Sequence, residues 1–413
     1  MGWTSVYYLE RMKTTYDWSK INEGEVTLLV PTQALTQKEP PKFPAFFNPA
    51  AKFNRDISIL IYRHCIDQSR KNISFVDSMC GLGARGIRVA KEIPQIQKVV
   101  FNDFDMLSAQ TAKVNAVINN IYHKSDFYTS EICSFLSTGA NFGNRATIID
   151  LDPFGTPAPY LDCILRGVEN DGIISITATD TAVLQGVYPR VCYRKYYGIP
   201  LRTGYSLEIG TRLLLSCTAL VASRLDLSIY PIFAHSYRNY IRIYCKVSKS
   251  NYLANKITDK LGYILHCFQC GYRVLMKKSP FVIDCPLCQK KMRMSGPLWV
   301  SHIFDKNVIF KILAEVLESE ANMMQKSNHV KQRQSKNPIK RFFEIASKEL
   351  DHIPYHYNSD EFGKIMKNST YPLSKIVSKL ILDGYNTTPT IFSPTGFKSE
   401  ADIGEIKSSL SNL

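Results

Sequence analysis

From residue 73 onward, short apolar runs alternate with longer amphipathic stretches. The runs ISFVD, KVVFND, ATIIDLD and GIISITAT are rich in β-branched residues, and helical patterns separate them. A run that is apolar along its whole length indicates a strand buried on both faces, which is typical of parallel sheets covered by helices. The pattern therefore predicts an α/β fold with a Rossmann-like parallel sheet.

The segments around this alternation carry weaker patterns. We predict a strand over residues 26–30, a helix beginning near residue 54 and a long helix over residues 206–224. Two further strands, over residues 227–234 and 240–247, are expected to pair in antiparallel fashion because only a short loop joins them.

The C-terminal part has a different character. Residues 263–300 are centred on cysteines, and the residues after about 339 resemble three short helices followed by a hairpin-like segment. We predict an N-terminal segment with the α/β domain over residues 1–262, a cysteine insert over 263–300, and a winged-helix-like α+β domain over 301–413.

Composition adds an imbalance of charge. Lys and Arg number 51 against 36 Asp and Glu, which gives a net charge of +15. Such an excess favours a polyanionic partner, nucleic acid above all, although a basic enzyme with a solvated surface has the same composition.

The sequence also predicts where the protein resides. The N-terminus lacks the apolar core of a signal peptide. The most apolar stretch, residues 213–223, lies between Arg212 and Arg224 and is too short to span a bilayer. We expect an intracellular protein without a membrane span, nuclear in a eukaryote and cytoplasmic otherwise.

A glycine-rich turn follows the first predicted strand of the sheet. Gly81, Gly83 and Gly86 satisfy G-x-G-x-x-G between that strand and a helix, so the backbone can turn tightly beside a nucleotide cofactor. Asp77 ends the first strand, and Asp103 ends the second, where it can accept hydrogen bonds from ribose hydroxyls.

Two cofactors suit this turn. NAD needs a helix N-terminus that faces its pyrophosphate, whereas S-adenosylmethionine has no phosphate and carries a positive sulfonium. Asp77 would repel a pyrophosphate, so we favour S-adenosylmethionine. NAD and a purely structural glycine turn remain alternatives.

A second motif ends the third strand of the sheet. Asp152, Pro153 and Phe154 follow an apolar run, at the sheet edge where ligands bind. The carboxylate, with the Pro153 carbonyl, can accept N–H bonds from an exocyclic base amine and take its proton, while Phe154 stacks on the base. The alternative is an ordinary turn with a core Phe. Methylation at pyrimidine C5 needs a nucleophilic Cys, and Cys163 reads as a core residue, so that route is disfavoured.

Four of the 11 cysteines form two C-x-x-C pairs. Cys267, Cys270, Cys285 and Cys288 provide four thiolates at a spacing typical of a structural Zn²⁺ site with no open position. An iron–sulfur centre and unligated thiols are the alternatives. We expect this metal pattern in place of a disulfide framework.

These motifs occur with several others in a specific order. They are Phe46-Phe47-Asn48-Pro49, Asn54-Arg55-Asp56, the helix start Arg85-Gly86-Ile87-Arg88, Asn102-Asp103, the segment from Asp150 to Pro157, Thr177-Ala-Thr-Asp180 and the segment from Ser393 to Lys398. Together they resemble the tRNA guanine-26 N2-methyltransferase/dimethyltransferase family, from about residue 23 to 400.

The resemblance implies a Rossmann-like S-adenosylmethionine domain, a family-specific C-terminal domain, and roles for individual residues. Asp152 would lie at guanine N2, with Phe46 and Phe154 on the two faces of the base. The residues implied at the cofactor are Arg55, Arg85, Asp103, Asp126 and Phe127. The family often has Asp-Ala-Asn where this chain has Asp126-Phe127-Tyr128, and often Cys in place of Gln185.

The predicted function is S-adenosylmethionine-dependent N2-methylation of guanine-26 in tRNA, in two successive transfers, by a chain that we expect to be monomeric. The rivals are an N-methyltransferase for another RNA or protein amine, and an inactive RNA-binding protein or chaperone. Residues 326–341 and an aromatic, basic segment are expected to hold the tRNA. That segment comprises Arg190, Tyr193, Arg194, Lys195, Tyr196, Tyr197 and Arg202, and a solvated helix face is the alternative interpretation.

Overall fold

The computed structural model describes residues 16–66, 70, 72–141, 143–279, 283–326, 337–366 and 371–411. They form two compact units. The first contains the described residues up to Pro153 together with Pro159–Ile176, and the second contains Phe154–Ala158 and the described residues from Thr177 onward.

The first unit begins with an antiparallel hairpin of β1 (Trp18–Glu23) and β2 (Val26–Pro31). The sequence predicts β2 but not β1, because β1 is polar at most positions and shows no clear alternation of apolar and polar residues. The side chain of Asn115 accepts a hydrogen bond from Leu29 N at 2.7 Å and donates one to Leu29 O at 3.1 Å. This amide therefore pairs with β2 as a neighbouring strand would.

Five parallel strands form the sheet of the first unit, in the order β5-β4-β3-β6-β7. They are β3 (Ile73–Asp77), β4 (Ile96–Asn102), β5 (Ser125–Tyr128), β6 (Ala146–Leu151) and β7 (Val168–Ala178). β6 is buried at every position, as its continuous apolar run predicts. Because β3 lies between β4 and β6, the carboxyl ends of these strands form a switch point, where such sheets bind ligands.

Helices accompany these strands and confirm the predicted alternation. They are Gln33–Thr36, Lys52–Cys65, Ala84–Glu92, Met106–Ile118, Ile132–Asn141 and Leu161–Gly167. Cys163 is buried, as expected of a core residue, but it forms a disulfide with Cys133. The sequence did not predict this bond, because 30 residues separate the two cysteines and neither lies in a paired motif.

Between residues 177 and 255, the second unit contains three short helices, the long helix Ser206–Ser223 and the antiparallel pair β8 (Leu227–Tyr237) and β9 (Tyr240–Lys249). The short helices are Thr181–Leu184, Pro189–Tyr196 and Asn251–Asn255. Among the described residues, Ser206–Ser223 alone is long and apolar enough to cross a membrane, yet 78% of it is buried inside the protein. It also carries the buried ion pair of Glu208 and Arg212, which is consistent with a core helix.

A three-stranded antiparallel sheet carries the cysteine pairs, in the order β11-β10-β12. Its strands are β10 (Leu261–His266), β11 (Arg273–Met276) and β12 (Arg293–Trp299). Cys267 and Cys270 lie in the turn after β10, and Cys285 and Cys288 lie between β11 and β12.

The C-terminal part combines helices with a small antiparallel sheet in the order β13-β15-β14. Its strands are β13 (Tyr357–Asn358), β14 (Thr387–Pro389) and β15 (Gly396–Ser399), and its helices are Lys306–Lys326, Pro338–Lys348, Ser359–Met366, Leu373–Leu382 and Ile403–Leu410. The three predicted helices and the hairpin are present, and the last helix was not predicted. The basic stretch 326–341 lies mostly outside the described residues.

Buried charges connect the elements of the second unit. Lys398 Nζ lies 2.6 Å from Glu208 Oε1 and 3.1 Å from Glu349 Oε1, and all three side chains are almost fully buried. Arg212 donates to Glu208 and to the carbonyl of Asp351. Removing one partner from such a network would leave an uncompensated buried charge.

Candidate active site

The glycine-rich turn has the backbone that the motif predicts. Gly81 and Gly83 have φ of +54° and +83°, a region that favours glycine. A Cβ on Gly86 would lie 2.5 Å from Phe101 Cε1, so this residue allows the helix to pack closely on β4. The turn therefore leaves backbone exposed between the ends of β3 and β4.

Asp103 follows β4 and closes one side of this turn. Its Oδ2 accepts a hydrogen bond from Gly81 N at 2.8 Å, and its Oδ1 accepts one from Asp105 N at 3.0 Å. Burial raises the pKa of the Asp103 carboxyl above its ordinary value. Each carboxylate oxygen can accept a further hydrogen bond, so the group is suited to adjacent hydroxyls.

Asp77 ends β3 and is 3% exposed. Its Oδ2 accepts a hydrogen bond from Gly86 N at 2.9 Å. Burial, and after it the neighbouring carboxylate of Asp150, raises the pKa of Asp77 to about 7. A ligand with a positive charge would stabilise the ionised form of this buried carboxylate, whereas an anionic ligand would be repelled.

Asp152 lies just beyond the end of β6 and is bound by Arg85. Arg85 Nη2 lies 2.6 Å from Asp152 Oδ2, and Arg85 Nε lies 3.4 Å from Asp150 Oδ1. Arg85 Nη1 also donates to Ser58 Oγ at 2.6 Å and to Asn54 Oδ1 at 3.2 Å. Arg85 is 6% exposed and its guanidinium is held in one orientation by four side chains, so it fixes the Asp152 carboxylate.

A polar network missed by the sequence analysis lies behind this pair. Asp150 Oδ2 accepts hydrogen bonds from the Tyr62 hydroxyl and from Ser175 Oγ, the latter at 3.0 Å. The carbonyl of Asp150 accepts from Ser78 N at 3.1 Å. The D-x-D spacing of Asp150 and Asp152 was the available signal, because alternation in a strand sends the two side chains to the same face.

Arg55 was expected at the cofactor, and the structure places it in a buried ion pair. Its Nε and Nη2 donate to the two carboxylate oxygens of Glu23, each at 2.6 Å. Arg88 binds the same carboxylate at 3.1 Å. The positive charge of Arg55 is therefore compensated by Glu23 at the end of β1. The role of Arg55 at the cofactor stays a prediction.

Asp126 and Phe127 were expected at the adenine. Asp126 pairs with Val100 in the register of β5 and β4, before the strand end at which Asp103 lies, and its carboxylate contacts Lys98 Nζ at 2.8 Å. The Phe127 ring stacks on Phe101 with centroids 5.1 Å apart. Tyr128 is nearer the strand end and is 44% exposed; the sequence analysis named it only as a departure from the family pattern and assigned it no role.

The residues expected around the base differ in exposure. Pro153 is buried and Phe46 is half-buried, while Phe154 is 59% exposed. In the second unit, Gly155 N donates to Thr179 Oγ1 at 2.7 Å, which fixes the turn that carries Phe154. An exposed ring on a fixed turn is suited to stacking.

The aromatic, basic segment is only partly as predicted. Arg190, Arg194 and Arg202 are exposed, and Tyr193 and Tyr197 are 60% and 54% exposed. Tyr196 is fully buried and donates to Asp180 Oδ1 at 2.7 Å, so its expected stacking role is wrong. Tyr188, at 56% exposure, was overlooked.

The four predicted metal ligands come together. The Sγ atoms of Cys267 and Cys288 are 3.4 Å apart, as are those of Cys270 and Cys285, and the four lie within 4.8 Å of one another. Sulfur atoms around a tetrahedral Zn²⁺ with Zn–S bonds of about 2.3 Å are about 3.8 Å apart. The cluster is therefore of the size that zinc requires.

The known proteins that this chain resembles are methyltransferases, which is consistent with the residues described above. The family model for N2,N2-dimethylguanosine tRNA methyltransferase matches residues 24–411. The tRNA (guanine(26)-N(2))-dimethyltransferase of Methanothermobacter thermautotrophicus is 32% identical over 394 residues, which cover 95% of this chain and 98% of the relative. The tRNA (guanine(26)-N(2)/guanine(27)-N(2))-dimethyltransferase of Aquifex aeolicus is 28% identical, covering 95% and 96%.

A solved structure is similar along almost the whole chain. Trm1 from Pyrococcus horikoshii, in complex with S-adenosyl-L-methionine, superposes with a TM-score of 0.75 at 27% identity. The match covers 95% of this chain and 99% of that one. This confirms the α/β fold predicted from the strand pattern and the S-adenosylmethionine-dependent methyltransferase domain that the resemblance implies.

Proposed function

This chain belongs to the N2,N2-dimethylguanosine tRNA methyltransferase family, and we propose how its own residues carry out that family's reaction. The activity is S-adenosylmethionine-dependent methylation of the exocyclic N2 of guanine-26 in tRNA. The observation that carries the assignment of residues is the fixed Asp152 carboxylate beside the glycine-rich turn, at the switch point of the sheet.

The residues at the switch point fit the cofactor. A Cβ on Gly81 would meet Phe46 O at 3.2 Å, so the bare backbone keeps this part of the turn open. Asp103 offers acceptors for ribose hydroxyls, and the buried Asp77 favours a positive group. When bound, S-adenosylmethionine supplies a methyl group made electrophilic by its sulfonium.

Asp152 is proposed as the residue that activates guanine. Its Oδ2 is bound to Arg85, so we assign the other oxygen, Oδ1, to the N2–H of the base. Accepting this hydrogen bond makes the nitrogen lone pair, otherwise delocalised into the ring, more available for attack, and the carboxylate takes the released proton. The Pro153 carbonyl is proposed as a second acceptor, and Phe46 and Phe154 as the rings that hold the base.

The target guanine must leave its stack to reach Asp152, at a cost of a few kcal/mol. We propose that the exposed Tyr188, Tyr193 and Tyr197, with Arg190 and Arg194, contribute stacking and phosphate contacts that offset this cost. Binding that depends on such cations weakens with salt.

The C-terminal part is proposed as a winged-helix-like tRNA-binding domain over residues 301–413, following the α/β domain (1–262) and the cysteine insert (263–300). Helices Ser359–Met366 and Leu373–Leu382 with the sheet β13-β15-β14 support this comparison. We also propose that the protein is intracellular and monomeric. Light scattering on the purified chain would test the monomeric state.

We propose that Cys267, Cys270, Cys285 and Cys288 hold one structural Zn²⁺. β10 and β11 pair over only four residues, and a metal would fix the turns that connect these short strands. Elemental analysis should give one zinc that Cys285→Ser loses, with loss of protease resistance in strands β10, β11 and β12. A metal-free wild-type chain with intact resistance would contradict the proposal.

The function is tested by methyl transfer from labelled S-adenosylmethionine to unmodified tRNA, with the product nucleoside identified by mass. We expect N2,N2-dimethylguanosine at position 26 and none when adenine replaces that guanine. A second tRNA with guanine at position 27 is included because the Aquifex relative is named for both positions. Monomethylguanosine as the final product would refute two transfers, and cofactor binding without transfer would refute the assigned base site.

A further inference from the structure

A second group of metal-binding side chains lies in the second unit, apart from the cysteine cluster. His302 follows β12, and Asp351 and His352 follow the helix Pro338–Lys348. One ligand atom from each of the three residues lies within 4.8 Å of the others. The two histidines are exposed and Asp351 is buried. None of the three belongs to the active site described above.

The carboxylate of Asp351 is fixed by the backbone. Its Oδ2 accepts hydrogen bonds from Ile303 N at 2.8 Å and Phe304 N at 3.0 Å. Its Oδ1 lies 2.9 Å from His302 Nδ1. Since a carboxylate accepts hydrogen bonds, His302 Nδ1 is the donor, and the lone pair of the neutral ring is then on Nε2.

This arrangement is that of a histidine prepared to bind a metal. Histidine ligands almost always donate their other ring N–H to a carboxylate or carbonyl, which fixes the tautomer and the ring orientation. Here the same carboxylate is itself anchored by two backbone N–H groups, so the ring of His302 is held although its side chain is 65% exposed.

His352 completes a pair of imidazoles at the distance that a shared ion requires. The centroids of the His302 and His352 rings are 5.7 Å apart, with 56° between the ring planes. Two imidazoles bound to one ion through N–metal bonds of about 2.0–2.1 Å, at a tetrahedral or slightly wider angle, have centroids about 5–6 Å apart.

We propose that His302 and His352 bind one Zn²⁺ ion, with Asp351 as the residue that positions His302. Neutral imidazoles suit zinc, whereas magnesium and calcium prefer oxygen ligands. With two protein ligands, the ion keeps positions for water and exchanges, unlike an ion in a closed four-cysteine site. It would connect the segment after β12 to the segment after helix Pro338–Lys348.

The test is a zinc titration of the full chain whose cysteine cluster already holds one equivalent, as verified by elemental analysis. Calorimetry with zinc chloride should show a second equivalent. His302→Ala and His352→Ala should each weaken it at least 10-fold, since loss of even an outer-shell partner typically costs about 10- to 100-fold in metal affinity. Both residues are exposed, so circular dichroism should show an unchanged fold.

The matched control is His123→Ala, which removes an exposed histidine of the first unit. It should retain the second equivalent. Cobalt adds a spectroscopic signature, because a site of nitrogen and oxygen ligands lacks the thiolate-to-metal absorption of the cysteine cluster. The proposal would be overturned if the wild-type chain bound no zinc beyond the equivalent in the cysteine cluster. Unchanged affinity in both histidine variants, or thiolate absorption from the second equivalent, would overturn it as well. None of these readouts depends on tRNA methylation.

Discussion

Asp152→Asn is the substitution expected to lower the rate of methyl transfer while leaving the stability of the fold almost unchanged. The Asp152 side chain is 33% exposed and contacts Arg85 through one oxygen. The asparagine Oδ1 can still accept that hydrogen bond, and Arg85 keeps Asp150 and Ser58. Because that hydrogen bond is retained and Asp150 still compensates the charge of Arg85, the free energy of unfolding should change little.

The effect on the reaction should be much larger. In place of the free carboxylate oxygen, asparagine presents an N–H donor to the N–H of guanine, so the hydrogen bond and the proton acceptor are both lost. Loss of a positioned acid or base typically costs about 10²- to 10⁴-fold in rate. At 1.36 kcal/mol for each factor of ten, this raises the barrier by about 2.7–5.4 kcal/mol.

Single-turnover methyl transfer with saturating cofactor and tRNA measures this barrier directly. Cofactor affinity, measured by calorimetry, should be unchanged. Asp162→Asn is the matched control, because Asp162 is also an arginine-paired carboxylate but is exposed, with Arg166 as its partner. If Asp152→Asn retained a rate within about threefold of the wild type, or lost cofactor binding in parallel, the role assigned to Asp152 would be wrong.

Two further substitutions and one proton-release measurement test the residues near Asp152 and the buried charges of the second unit. Arg85→Lys, whose single ammonium cannot contact all four partners, should lower kcat about 10- to 100-fold with little change in cofactor KM, as steady-state kinetics would show. Asp77, with a pKa of about 7, should release a proton when the cationic cofactor binds at pH 6 and none at pH 8.5, as calorimetry in two buffers would show. Lys398→Met should destabilise the second unit by about 3–5 kcal/mol in denaturant unfolding, because Glu208 and Glu349 lose a buried partner.

Each of these three predictions has a result that would contradict it. An equal loss of cofactor affinity in Arg85→Lys would mean that Arg85 serves the cofactor more than Asp152. Proton release that persists in Asp77→Asn would assign the titration to another group. Because its pKa is raised from 3.8 to about 7, Asp77 itself contributes a stability that increases as pH falls through this interval. Lys379→Met, in a partly exposed pair with Asp383, should cost under about 1 kcal/mol, and an equally small loss for Lys398→Met would refute its buried role.

Local features of the sequence predicted much of the architecture. The runs that became β3, β4, β6 and β7 each contain a continuous apolar, largely β-branched stretch, and a sheet buried on both faces accommodates such stretches. The positive φ values of Gly81 and Gly83 follow from a strand that must turn at once into a helix. β1 was missed because a polar edge strand has no distinctive periodicity until its partner is known.

By itself, the sequence determined the glycine-rich turn, the carboxylates that end the strands, the cysteine spacing and the family, because each is a pattern of neighbours along the chain. Only the tertiary structure decided which charges meet. Arg85 and Asp152 are 67 residues apart, and Arg55 and Glu23 are 32 apart. The partner of a buried charge depends on which elements pack together, and nothing in the residues beside it along the chain specifies that partner. The burial of Tyr196 and the pairing of His302 with Asp351 were hidden for the same reason.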